Sequence, residues 1–160
     1  MRPSPDVLTT LFENAPRFVD RMCSEDVASY EELIDLAERM AAEMPEKEQL
    51  ELINGHPAIG ALPASVSTQS YLEQGYHQVA TDGDEKLAGR LARLNAEYEQ
   101  RFGFRFCIFV AGRPRSEVAE IMEGRMNAPR EEELRRGLSD VFAIARSRLE
   151  KLTIPLEDAR

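Results

Sequence analysis

Residues 129–152, PREEELRRGLSDVFAIARSRLEKL, decide the fold class. Leu134, Leu138, Val141, Ala145, Leu149 and Leu152 recur at spacings of three and four residues. With about 3.6 residues per helical turn, that spacing sets them along one face, an unbroken stripe for a core. Pro129 suits the first turn of this helix, where a missing N–H costs nothing. Upstream, Arg113-Pro114-Arg115 reads as a loop, and Ser116 as the N-cap of a helix reaching Arg125. Further back, Leu87, Leu91, Leu94 and Tyr98 line one face of a long helix. It follows a turn at Thr81-Asp82-Gly83-Asp84 and stops at Gly103. Between these helices, residues 104–110 (FRFCIFV) look extended by their aromatic and β-branched content. One such piece has no partner to make a sheet, so it is expected to be a buried connection.

The N-terminal half carries the same periodicity. Leu8, Leu11 and Phe12 form a short stripe after Pro5, and Pro16 interrupts it. Ser29 and Glu32 have capping-box spacing at the start of a helix with Leu33, Leu36, Ala37, Met40 and Met44. Pro45 opens another turn carrying Leu50 and Ile53, which Asn54-Gly55-His56-Pro57 brings to a stop. Residues 57–66 read as loop, and Ser67 as the cap of a helix through about Val79. There is no repeat, low-complexity tract or linker. The expectation is an all-α fold, residues 1–160 forming one domain, a size that suits a single core.

Composition narrows the function. A hydrophobic share of 42% fits a globular chain, and no apolar run reaches the roughly 20 residues of a membrane span. The opening Met1-Arg2-Pro3-Ser4-Pro5 lacks the apolar centre of a signal peptide, and the final residues are not a peroxisomal address, so the cytoplasm is expected. A net charge of −9 argues against nucleic acid as a partner and against anionic membranes. A small anion remains possible, because one arginine in a pocket outweighs distant, screened charge. Cys23 and Cys107 supply neither a disulfide framework nor a metal cluster, and Cys107 stands in an apolar run that suits a buried thiol. There is no phosphate-cradling glycine loop and no elbow-type serine.

Three places can carry chemistry. His56, one of two histidines, stands at a helix stop before Pro57 and Gly60, a rigid position for a general acid or base. A structural histidine fits the same place; His77 has no comparable setting. Ser70, Glu73 and Gln74 share one helix face, as a polar patch or as a solvated surface. Arg125, with Asn127, ends a helix before Pro129, where its fork can grip a carboxylate or serve as a cap.

Read in order, His56-Pro57-Ala58-Ile59-Gly60, Ser70-Tyr71-Leu72-Glu73-Gln74, Phe102-Gly103-Phe104-Arg105-Phe106 and Arg125-Met126-Asn127 resemble the 2-oxo-4-hydroxy-4-carboxy-5-ureidoimidazoline (OHCU) decarboxylases. The upstream Leu11-Phe12-Glu13-Asn14-Ala15-Pro16 and downstream Glu133, Ala143-Ile144-Ala145 and Arg148-Leu149 fit as well, so the likeness runs from about Leu8 to Leu152. The resemblance implies a helical homodimer without metal or organic cofactor that converts a small anionic ureidoimidazoline to (S)-allantoin, the last step from urate. It implies that His56 is catalytic and that Glu73 is its partner in proton transfer. By the same resemblance Ser70 contacts the substrate, beside Gln74 in the same patch, and Arg125 holds an oxygen. Phe104 and the backbone near Ile108 would form part of the pocket wall. The chain departs from the pattern at Arg17, where tryptophan is frequent, at Ala58, where a basic or polar residue is frequent, and in having Arg21-Met22-Cys23 near an expected Arg-Pro-Phe. Two alternatives therefore stay open: a family member acting on a related ureido or hydroxy acid, and a catalytically silent helical binding module.

Overall fold

A computed structural model describes residues 1–60, 73 and 84–152. Among them every regular element is a helix: α1 (Pro5–Leu11), α2 (Pro16–Cys23), α3 (Tyr30–Glu43), α4 (Glu46–Asn54), α5 (Asp84–Phe102), α6 (Arg115–Arg125) and α7 (Arg130–Lys151). The all-α expectation holds. The helix expected from Ser67 to Val79 lies outside the described residues, except for Glu73, which is helical. Contacts divide the chain into two units, Met1–Gly55 with the chain from Leu138 onward, and His56–Gly137.

The first unit holds α1–α4 and most of α7. Pro5 and Pro16 each sit in the first turn of a helix, so Pro16 opens α2 rather than only ending the stripe of α1. The sequence hides this helix because its buried residues, Phe18, Val19 and Met22, are few and interleaved with Arg17, Asp20 and Arg21. Ser29 caps α3 as expected, its hydroxyl accepting from the Glu32 amide at 3.1 Å. Glu32 reaches back one residue further than the usual box and accepts from the Ala28 amide. Phe12, Phe18 and Phe142 meet edge to face, with Phe12 5.2 Å from Phe18 and 5.7 Å from Phe142. Gly55 closes α4 against the α1–α2 corner: a Cβ there would collide with the Glu13 carbonyl oxygen. The Asn14 amide donates to the Gly55 carbonyl at 2.9 Å, from a residue itself in the left-handed region at φ 55°.

The second unit holds α5, α6 and the first turns of α7. Gly103 ends α5 with φ +80°, a conformation that costs glycine little, while its amide donates to the Glu99 carbonyl. Residues 105–110 form no strand; Phe104, Phe106, Cys107, Ile108 and Val110 are buried, which is the connection the sequence leads one to expect. Ser116 is not a cap. Pro114 takes that position, its carbonyl accepting from Glu117 and Val118, so Ser116 falls inside the first turn. At the start of α7, Leu134 is only half-buried and Glu133 takes the interior place instead. The stripe therefore begins with a carboxylate.

Candidate active site

His56 follows the α4 terminus in a turn, outside any helix and only 5% exposed. The turn is held through its backbone. Arg105 Nη1 donates to the His56 carbonyl at 2.7 Å, and Asn95 Nδ2, from α5, donates to the Ile59 carbonyl at 2.8 Å. Gly60 completes it at φ +80°, where a Cβ would meet the Leu91 side chain at 3.1 Å.

Arg125 is the last residue of α6, with its side chain 37% exposed. Its Nη1 lies 3.4 Å from Glu133 Oε2, whereas its Nε is buried without any hydrogen-bond partner. A buried cationic donor left open is costly to the fold and fits a site that receives an oxygen from outside. Glu133, 1% exposed, is the hub of this region. It accepts from the Tyr98 hydroxyl at 2.8 Å and from Arg136 Nε at 3.1 Å, besides Arg125. Burial first, and then donation to the Glu133 carboxylate, hold the Tyr98 phenol well above its ordinary range. Arg136 also donates to the Cys107 carbonyl at 2.9 Å and lies over the Phe106 ring.

Phe104 joins these pieces. Its ring meets Tyr98 edge to face at 5.9 Å, with the Arg130 guanidinium over it at 5.5 Å, and its neighbour Arg105 holds the His56 carbonyl. Ile108 is buried in the same segment. Glu73 is helical and half-buried, and Ser70 and Gln74 lie outside the described residues. Sequence reasoning missed Asn95, Arg105 and Arg136 and gave Glu133 no role of its own. For Glu133 a signal was present: it stands four residues before Gly137 and eight before Val141, on the face that helical spacing turns inward. Among the described residues no group of three or more His, Cys, Asp or Glu side chains could hold a metal ion. No described helix is long and apolar enough to cross a membrane.

Residues 4–150 match the sequence model of the OHCU decarboxylase family. The chain belongs to that family. Among its relatives, the "Uric acid degradation bifunctional protein PucL" of Bacillus subtilis is 30% identical over 149 residues, covering 90% of this chain and 29% of that protein. The chain thus spans under a third of this longer relative. The 2-oxo-4-hydroxy-4-carboxy-5-ureidoimidazoline decarboxylase of Halalkalicoccus jeotgali is 28% identical over 155 residues, 94% of this chain and 85% of its own length. In fold, the crystal structure of OHCU decarboxylase in the presence of (S)-allantoin superposes with a TM-score of 0.74 at 20% identity, over 92% of this chain and 96% of that one. As an OHCU decarboxylase family member the chain is a carboxy-lyase by its ancestry, on the all-α fold of the family.

Proposed function

We propose that the chain converts OHCU to (S)-allantoin without a metal or organic cofactor, using His56 and Glu73 for proton transfer and Arg125 to grip the substrate. Family membership over residues 4–150 supports the reaction, and the observation that carries the site is the buried His56, presented from a turn gripped at two carbonyls. In the reaction the bond to the carboxylate breaks and its electron pair passes into the ring as carbon dioxide leaves. That pair is taken up at a ring nitrogen together with the proton the hydroxyl gives up in becoming the carbonyl, and a second proton delivered to one face of the ureido-bearing carbon sets the hand of the product. His56 and Glu73 divide these two proton transfers, one as base and one as acid. The open Nε of Arg125 receives an oxygen of the substrate and stabilises the charge that gathers there. Ser70 and Gln74 contact the substrate, and Phe104 and Ile108 wall the pocket.

In this reading residues 1–160 form one catalytic domain, which the run of the family match through both units supports. The enzyme works in the cytoplasm as a homodimer on a small anionic ureidoimidazoline. The deciding assay mixes purified protein with freshly generated OHCU and follows product chirality by circular dichroism. The parent should yield (S)-allantoin, and His56→Ala should slow it by about 10²- to 10⁴-fold. Racemic product at the uncatalysed rate would leave a silent binding module; a parent-like rate for His56→Ala would remove the histidine from the mechanism.

A further inference from the structure

The geometry points to Asn95 and Arg105 as positioning residues that together fix the His56 turn. Two side chains from different parts of the second unit seize two carbonyls of one five-residue turn. Asn95 reaches from α5 to the Ile59 carbonyl at 2.8 Å, and Arg105, from the segment after Gly103, reaches the His56 carbonyl at 2.7 Å. The Arg105 bond is charge-assisted, short, and falls on the very residue whose imidazole must be aimed. Arg105 is itself steadied, with its Nε 3.5 Å from Glu99 Oε1 on α5, so both grips trace back to the same helix.

The Asn95 amide shows that this arrangement is not the one stability alone would select. Its Nδ2 is used on Ile59, while its Oδ1 is buried with no hydrogen-bond partner. An orphaned buried acceptor opposes folding, so the amide makes its bond to Ile59 against that cost. Because the bonds that Asn95 and Arg105 make to the turn go to backbone carbonyls, their loss should loosen the aim of His56 more than it weakens binding. Small misplacements of a catalytic group cost rate steeply.

The inference rests on His56 being catalytic, and its test separates the two. The measurements are steady-state kinetics with OHCU and the imidazole ring signals of His56 by nuclear magnetic resonance, in Asn95→Leu and Arg105→Met. With two histidines in the chain, His77→Gln assigns the His56 signals outright. Each variant should lower kcat by about 10- to 100-fold with KM within about threefold of the parent, and should shift or broaden the His56 signals. Arg105→Lys, which still offers a cation to the carbonyl, should recover part of kcat. Parent-like kcat with unchanged His56 signals overturns the clamp, as does a loss that appears only in KM. If Asn95→Leu fails to fold, Arg105→Met decides alone, since that side chain is 35% exposed and removable without opening a core cavity. If His56→Ala keeps the parent rate, the catalytic reading fails, and the ring signals still report whether the clamp exists.

Discussion

Glu13 and Glu133 are two buried carboxylates, one in each unit, and each meets arginine in a different way. Glu13 accepts from Arg148 Nη2 at 2.8 Å, and the same guanidinium, 2% exposed, gives its Nη1 to the Thr10 carbonyl at 2.9 Å. That pair ties α7 to the end of α1 and to the corner beyond it. Glu133 is instead shared by Tyr98, Arg136 and Arg125, and the arginine at its edge keeps a buried Nε open. The same two residue types build a lock in one place and, in the function proposed above, a receptor in the other. What separates them is whether the guanidinium leaves a donor without a partner.

Breaking the lock gives the largest effect on stability. Arg148→Met takes the guanidinium away from a buried carboxylate, and removing one partner of such a pair typically costs about 3–5 kcal/mol. The urea midpoint should fall accordingly, while the folded protein keeps a kcat close to the parent's. A fall in kcat at parent stability would mean that Arg148 belongs to the reaction and that the distinction drawn from the open Nε is wrong.

Disturbing the receptor should do the reverse. Arg125→Lys can keep its pairing with Glu133, but a single ammonium cannot hold two donors in the fixed planar geometry of the fork. Turnover should drop on the order of 10²-fold, the scale of one lost donor to developing charge, with the thermal midpoint nearly unmoved. A parent-like rate, read by the chirality assay, would show that the open Nε is a packing accident.

Much of this was legible in the chain, for identifiable reasons. The stripes of α5 and α7 follow one periodicity over many turns, Gly103 and the Ser29–Glu32 pair carry their own stereochemistry, and His56 stands between Gly55 and Pro57. These are local signals. The short α2 was lost because three buried residues between charges make no pattern. Ser116 reads as a cap because side-chain preference marks serine, whereas α6 starts two residues earlier on the Pro114 carbonyl with no side-chain cap bond at all. Asn95 and Arg105 were invisible because each acts on a backbone carbonyl 36 or 49 residues away, and a carbonyl leaves no mark in a sequence. Glu133 and Arg148 could have been suspected, as charges on inward-turning positions of α7, but only the fold says which is paired and which is shared.

The smallest expected effect tests the wiring of Glu133 itself. Tyr98→Phe removes one donor from the carboxylate and keeps the ring that packs on Phe102 and Phe106. Hydrogen bonds to charged groups are worth about 1.5–3 kcal/mol, and with Arg136 and Arg125 still bound the low end of that range is expected near neutral pH. The pH dependence sharpens the point. Burial and the Glu133 bond raise the Tyr98 pKa in the folded protein, whereas an unfolded tyrosine ionises at about pH 10. Stability drawn from the phenol is therefore complete below about pH 10 and is lost as pH rises from there toward the folded value. The gap in urea midpoint between parent and Tyr98→Phe should be widest near neutrality and should shrink by about pH 10.5. Turnover should change little, because Arg125 keeps its carboxylate. A gap that stays constant through this range would mean the phenol ionises as freely folded as unfolded, which a hydroxyl buried against a carboxylate cannot do.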